Sequence, residues 1–427
     1  MYGRLKYCKQ KISTWLAFRR QYRMWKRVAV QHLHNPYVEK QLAIIPCDPW
    51  SVGGSRGDEA MMTAIILKYR KDHPAAPITI ISEGDEGSKY ISKLPYPGIT
   101  PLPVWNGNTP VKTIYEAVMK LRPSDVVLLG ADCMDGYYSP FISLTLLALH
   151  DLFSRTDGIK SHLTGFSFNR HPYRPLRKAF NSITPSARLY LRDAVSLERF
   201  KKFAKADAEL TADAAFMLEA DYGFDGYEKL KEWIAARRAA GTRHIIGFNF
   251  HPMLRRYDNT EEIQNDACSL ARNIAAIMQR NGAIDFVLVP HDDRCRYTDN
   301  IMLKTIADSL IQAGFGSRTY YSPEVYRAAQ IKALCSLLDG LASSRMHLAV
   351  AALGEGKSVL AAEYQGKFEG LFRHFNLPAE YLLTPDEFIG DAFAGRFEKY
   401  MAHLPELTRQ VEKEREKVIR LSEKNLL

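Results

Sequence analysis

With 427 residues, 46% of them hydrophobic and 25% charged, the chain has room for two or three cores of ordinary globular composition. Six cysteines at positions 8, 47, 133, 268, 295 and 335 include no C-x-x-C pair, which argues against a zinc framework or a disulfide-stapled secreted domain and points to a reducing cytoplasm. The net charge is +10, no run approaches ~18 consecutive apolar residues, and no apolar signal core opens the chain, so neither a spanning helix nor secretion is expected.

The charge excess gathers before residue 40, in Arg4, Lys6, Lys9, Lys11, Arg19, Arg20, Arg23, Lys26 and Arg27. These cations interleave with Trp15, Leu16, Phe18, Tyr22, Met24, Trp25 and Val28. On a helix this leader, residues 1–39, has two readings: a face for an anionic membrane surface, or an amphipathic helix packed on its own domain or on a second subunit. No recognition module accompanies the charge, so nucleic acid is not an expected partner.

Residues 41–47 read as a short buried strand, followed by the loop Ser51-Val52-Gly53-Gly54-Ser55-Arg56-Gly57. Asp58-Glu59 then open a helix over 60–69. Strand, glycine loop and helix bring backbone N–H groups near a ligand in doubly wound domains. The spacing matches neither the dinucleotide fingerprint nor a P-loop. Strands follow at 78–82 and 125–129, the latter running into Gly130-Ala131-Asp132-Cys133-Met134-Asp135-Gly136. Asp132 and Asp135 suit either acid–base work or capping of the next helix. A strand at 162–168 ends in Asn169-Arg170-His171-Pro172, and one at 188–191 leads into Arg192-Asp193-Ala194-Val195-Ser196. The Arg192 guanidinium can hold a carboxylate or phosphate bidentately, or simply pair with Asp193. Ala212-Asp213-Ala214-Ala215-Phe216 closes this half, giving a first domain over 40–220.

A charged helix at 227–240 joins the halves. The second domain, 242–400, has strands at 244–249, 286–290, 318–321 and 358–362, with helices near 261–280, 300–313 and 326–338. Asn249-Phe250-His251-Pro252 and Pro290-His291-Asp292 both follow strand ends, placing polar loops on one edge of the sheet. In Ala342–Leu371 a Ser343-Ser344 turn precedes Arg345 and His347. An apolar helix, a turn with Gly354 and Gly356, a strand and Tyr364-Gln365-Gly366-Lys367 follow. A helix start favours anions, and cations gathered there suit a carboxylate or phosphate; the plainer alternative has Arg345 pairing with an acid and His347 capping a turn. Residues 401–427 read as a charged helix.

Arg345, His347, Gly356, Tyr364 and Lys367 resemble the C-terminal signature of the polysaccharide pyruvyl transferase family. Arg192-Asp193 with Ser196, the pattern at 212–216, and Gly54-Ser55-Arg56-Gly57-Asp58-Glu59 resemble other family motifs, with Ser55 where the family has Asn. The likeness covers roughly residues 42–375. It implies an α/β chain of two doubly wound Rossmann-like domains facing a cleft, similar to the GT-B glycosyltransferases. It also implies transfer of the pyruvyl group of phosphoenolpyruvate to a glycan or lipid-linked oligosaccharide as a ketal, with release of phosphate. Such an enzyme serves exopolysaccharide and cell-envelope synthesis, in the cytoplasm or at the inner face of the membrane.

On this reading His347 is the acid/base, since an imidazole titrates near neutral pH. Arg192 and Arg345 hold the donor and Lys367 assists its phosphate. Gly54, Ser55, Asp58, Asp132 and Asp135 complete the binding residues. No cofactor is called for, and no metal, because no His/Cys/carboxylate cluster has ligand spacing. Two rivals keep the same fold: a GT-B-type glycosyltransferase using a nucleotide sugar, with Glu363 as its ribose ligand, and a binding protein without turnover.

Overall fold

The computed structural model describes residues 2–31, 33–35, 40–48, 55–255, 257, 259–292, 298–364 and 366–426, with side chains from Ser13 onward. Internal contacts divide the chain into two units. The first comprises Met1–Gly53, Met61–Met217 and Leu421–Leu427; the second comprises Gly54–Ala60 and Leu218–Arg420. Residues 54–60 therefore group with the second unit although they follow the first strand of the first.

The first unit runs α1 (Tyr2–Val28), β1 (Leu42–Ile45), α2 (Arg56–Asp72), β2 (Ile78–Ser82), α3 (Gly84–Ser92), β3 (Ile99–Pro103), α4 (Val111–Met119), β4 (Asp125–Leu128), α5 (Pro140–Ser154) and β5 (Lys160–Leu163). The five strands are parallel in the order β3-β2-β1-β4-β5. β1, β2 and β4 are buried along their whole length, as expected when helices cover both faces and a strand becomes a continuous apolar run. α5 is apolar nearly all round and is buried accordingly. Ser139 starts it, accepting the Ile142 N–H at 3.3 Å, with Pro140 in the first turn. Next come α6 (Leu176–Phe180), β6 (Leu189–Leu191), α7 (Ala194–Phe203) and β7 (Ala208–Leu210). The sequence reads one strand over 162–168; β5 instead stops at Leu163, and Phe166 forms separate bridges to Ala131 and Leu191.

In α1, Phe18, Gln21, Trp25 and Val28 are buried, a stripe that recurs every three or four residues. Gln21 donates to Thr145 Oγ1 at 3.0 Å, and the Trp25 indole donates to Asp151 Oδ2 at 2.8 Å. The described part of the leader helix thus docks its inner face on α5 of its own unit.

The second unit runs α8 (Asp225–Ala239), β8 (His244–Asn249), α9 (Thr260–Arg280), β9 (Ile284–Leu288), α10 (Asp299–Gln312), β10 (Thr319–Tyr321), α11 (Ala328–Ser336), β11 (Gly340–Ser343), α12 (Met346–Gly354), β12 (Ser358–Ala362), α13 (Lys367–His374), β13 (Leu382–Leu383), α14 (Pro385–Ile389) and α15 (Ala392–Ser422). Its six parallel strands lie in the order β10-β9-β8-β11-β12-β13. Counted from β8 this is 3-2-1-4-5-6, the doubly wound order, which reverses between β8 and β11. Ligands of such sheets sit outside the strand C-termini at that reversal. The Asn249, Asp292 and Arg345 loops all leave the sheet at that edge.

Candidate active site

The loops that leave β8 and β11 at the reversal are bound to each other. The Ser344 N–H donates to the Asn249 carbonyl at 3.2 Å, and the His251 N–H donates to Ser344 Oγ at 2.6 Å. Ser343 Oγ accepts the Arg345 N–H at 3.0 Å, which turns the chain into α12 with Arg345 at the cap. The Arg345 side chain is buried, and all three of its nitrogens are engaged. Nη2 and Nε donate to Asp299 Oδ1 at 2.5 and 3.1 Å, and Nη1 donates to Asp292 Oδ2 at 2.9 Å. Asp299 Oδ2 also accepts from Asn249 Nδ2 at 2.9 Å and from the His291 N–H at 3.1 Å. One fully buried carboxylate therefore ties the ends of β8, β9 and β11 together. Burial alone would lower the pKa of the guanidinium, but Asp299 and Asp292 outweigh it and raise its pKa.

The sequence assigns Arg345 to the donor. The structure commits its fork to two aspartates, because a buried guanidinium without carboxylates would be uncompensated. His291 is buried beside this network, and desolvation, followed by the Arg345 charge, pushes its pKa well below the ordinary range. It stands as a neutral imidazole whose Nδ1 finds no hydrogen-bond partner among the described residues.

The described residues of the glycine loop, Ser55, Arg56 and Gly57, meet the same cluster. Ser55 bridges Asp292 and caps α2, its hydroxyl accepting the Asp58 N–H at 3.2 Å. Arg56 Nη1 donates to Glu59 Oε2 at 3.0 Å and Nη2 to the Val325 carbonyl at 3.1 Å, while Glu59 Oε1 accepts the Ala328 N–H at 3.0 Å. This clamp fixes the start of α2 to the start of α11. Gly57 then lies under the imidazole of His347. A β-carbon at Gly57 would stand 2.6 Å from both Cγ and Cε1 of that ring and nearer still to Nδ1. Only glycine lets the ring approach so closely. The sequence reading treats the loop as a ligand cradle; the structure adds that its last glycine seats His347. Asp58 is half-buried at the helix start. Gly54 lies outside the described residues.

Across the sheet edge, Lys367 opens α13 and is buried, with its Nζ 4.9 Å from the centre of the Tyr364 ring. Tyr364 in turn stands within electrostatic reach of Arg345. Glu363 Oε2 accepts the Glu369 N–H at 2.9 Å, at the start of α13, and burial raises its carboxyl pKa. Ser55, Arg345, His347 and Lys367 are thus gathered at one sheet edge of the second unit. The half-buried His347 and the Lys367 ammonium are the groups there suited to a proton and an anion.

Arg192, Asp132 and Asp135 belong to the first unit. Arg192 is buried, donating from Nη1 to Asp213 Oδ2 at 3.0 Å and from Nε to Ser167 Oγ at 2.6 Å. Its acidic partner is Asp213, because Asp193 is occupied in capping α7: it accepts the Ser196 N–H and the Ser196 hydroxyl, each at 2.7 Å. Asp135 accepts the Tyr137 N–H at 2.8 Å and the Asn169 N–H at 2.9 Å, so it fixes its own turn and the 169–173 loop. Neither Asp132 nor Asp135 caps the next helix, since Ser139 does. Asp132 remains half-buried on that loop. Sequence reasoning missed Asn249, His291, Asp292 and Asp299 as candidate site residues; the signal was their position at or just past strand ends and at a helix start.

Known structures share this architecture. The Neisseria meningitidis UDP-GlcNAc 2-epimerase bound to UDP-GlcNAc is 12% identical with a TM-score of 0.55, over 91% of this chain and 99% of its own. A ugt transferase from Siraitia grosvenorii in complex with UDP is 12% identical with a TM-score of 0.54, over 91% and 98%. The S. aureus MnaA–UDP structure is 11% identical with a TM-score of 0.54, over 88% and 91%. At such identities the likeness is one of fold, and that fold is GT-B, with a Rossmann-like sheet in each unit. No curated protein matches the sequence. The family described as polysaccharide pyruvyl transferase matches residues 30–366, which include Ser55, Arg345, His347 and Tyr364 and stop one residue short of Lys367. The chain belongs to the polysaccharide pyruvyl transferase family.

Proposed function

We propose that this chain transfers the pyruvyl group of phosphoenolpyruvate to two hydroxyls of a glycan sugar, with His347 as the acid. The observation that carries the reading is the seating of the His347 ring on Gly57, beside the Ser55–Asp292–Arg345 network and on the sheet edge that carries Lys367. A proton from His347 goes to the methylene carbon of the donor, leaving electron deficiency at the adjacent carbon. A sugar hydroxyl adds there, phosphate departs with its bridging oxygen, and a second hydroxyl closes the ketal. One hydroxyl proton restores the imidazole and the other leaves with phosphate, so the catalyst is returned unchanged.

In this mechanism Lys367 binds the donor's phosphate. Arg345 positions α12 and the imidazole through Asp299 and Asp292, since its fork is already filled. Arg192 holds the first unit's β6 end through Asp213. Ser55 and the start of α2 offer N–H donors to the donor anion. A lipid-linked oligosaccharide is an acceptor of suitable chemistry. Calorimetric titration tests the donor directly. Phosphoenolpyruvate should bind the wild-type protein and bind more weakly to Lys367→Ala. Binding of a nucleotide sugar in its place, with none of phosphoenolpyruvate, would favour the glycosyltransferase reading.

A further inference from the structure

We infer that the first unit carries a composite basic and aromatic face built from α1 and the 170–178 segment, and that its partner is an anionic lipid surface. With its inner stripe docked on α5, α1 turns Trp15, Leu16, Arg19, Arg20, Arg23 and Arg27 outward, and all are exposed. At 100° per residue these six fall on the side opposite Phe18, Gln21, Trp25 and Val28. The flank of the helix meets the second segment. The Phe18 ring packs edge-on against Tyr173 at 5.4 Å, Tyr22 donates to Ser182 Oγ at 3.4 Å, and Lys178 Nζ stands 5.6 Å from the Tyr22 ring. Arg170, Arg174, Arg177 and Lys178 are exposed there and extend the charge of α1.

Tyr173 also donates its N–H to the Asp135 carbonyl at 2.8 Å, which brings the 137–138 loop to the same region. Tyr137 and Tyr138 are each 55% exposed and pack edge to face at 5.1 Å, although large aromatic rings are ordinarily covered. Neither 13–31 nor 170–182 contains an aspartate or glutamate, whereas together they hold nine lysines and arginines. A protein partner fitted to such a face would have to be almost wholly acidic. A bilayer supplies negative charge without fixed positions, together with an interfacial layer that takes Trp and Tyr rings. The Arg19 guanidinium over the Trp15 ring, 4.4 Å from its centre, has the mixed character that layer accepts. The surface is a peripheral one: no described helix is long and apolar enough to cross a membrane.

The inference goes beyond the proposed reaction and fails separately from it. The test is co-sedimentation of the full chain with vesicles of phosphatidylcholine alone or mixed with phosphatidylglycerol. Binding is expected only to the anionic vesicles, and it should weaken as ionic strength rises to ~0.15 M, where exposed charges are screened beyond about 8 Å. Arg19→Gln, Arg23→Gln and Arg177→Gln together should lower partitioning on the order of 100-fold, at about 1 kcal/mol per cation. Lys229→Gln, Arg272→Gln and Lys413→Gln remove the same charge from exposed positions of the second unit and should leave binding intact. Melting curves and turnover on a soluble acceptor should be unchanged in both triple variants, because none of the six residues belongs to the site. Equal loss in the two variants would overturn the inference, since only net charge would then matter. Indifference of the wild type to anionic vesicles at low salt would overturn it as well, as would retention on an RNA oligonucleotide but not on vesicles.

Discussion

Replacing Gly57 by alanine tests the seat of His347 with a single methyl group. Gly57 sits in the first turn of α2, where alanine by itself favours the helix by up to about 1 kcal/mol. The new β-carbon would lie 2.6 Å from Cγ and Cε1 of His347, against the roughly 3.5–4.0 Å of ordinary carbon contacts. Since Cγ itself is too close, the ring cannot escape by turning in place and must swing about its first side-chain bond, a displacement of about 1 Å or more. Misplacement of that size costs on the order of 100-fold in rate. The imidazole is half-buried, so stability should change by no more than about 1–2 kcal/mol. The expected result is a folded Gly57→Ala protein whose phosphate release from phosphoenolpyruvate falls ~100-fold. In a His347→Ala background the same change should cost no further activity and should raise the melting temperature, because the obstacle is gone. Native turnover in Gly57→Ala would refute the reasoning. So would global unfolding of the single variant, which would mean the ring cannot yield.

Asp299→Asn should destabilise the protein by about 3–5 kcal/mol in denaturant titration, because Arg345 would keep its buried charge with one carboxylate fewer. Asp213→Asn should act on Arg192 in the same way, and near-neutral behaviour of both variants would show these arginines to be anchored by something else. His150 gives a pH signature. Burial first of all pushes its pKa down to about 4, with Nε2 donating to the Arg188 carbonyl at 2.9 Å and Nδ1 accepting from Ser161. The unfolded chain, titrating near ~6.5, takes up this proton before the folded protein does. Stability should therefore fall as pH drops from ~6.5 to about 4, by up to about 3 kcal/mol from this group, and be unaffected by it above ~6.5. Chemical denaturation across that range should give a flatter profile for His150→Gln, and an unchanged slope would remove His150 from the account.

The parts of the fold that follow from local pattern were legible in the sequence. β2, β8 and β12 are mostly buried and rich in apolar residues, and the Arg345–Lys367 stretch has the turn, helix, glycine and strand that its residues suggest. β3 was not legible because Pro101 and Pro103 interrupt it, which an edge strand tolerates and a pattern search rejects. β11, Gly-Leu-Ala-Ser, is short and made of small residues, and its strand character comes from lying between β8 and β12. In the site, residue types marked out Arg345, His347 and Lys367, but they could not reveal that Asp299 fills the Arg345 fork from 46 positions away. The same holds for Arg192, whose neighbour Asp193 is engaged by α7 while its partner comes from 21 positions on. Long-range pairing of charges is a property of the packed state, and composition carries no record of it. The fit of His347 on Gly57 is of the same kind: each motif is visible alone, but their contact is not.

The most direct test of the central claim is the product of the reaction. The full-length protein would be incubated with phosphoenolpyruvate and a panel of free and lipid-linked glycans, with phosphate measured and the glycans analysed by mass spectrometry. The account predicts that one acceptor gains a pyruvyl ketal with one phosphate released per group added. His347→Ala should retain its fold and lose turnover by ~10²–10⁴-fold. Consumption of a nucleotide sugar with no use of phosphoenolpyruvate, or a folded His347→Ala protein with wild-type turnover, would contradict it.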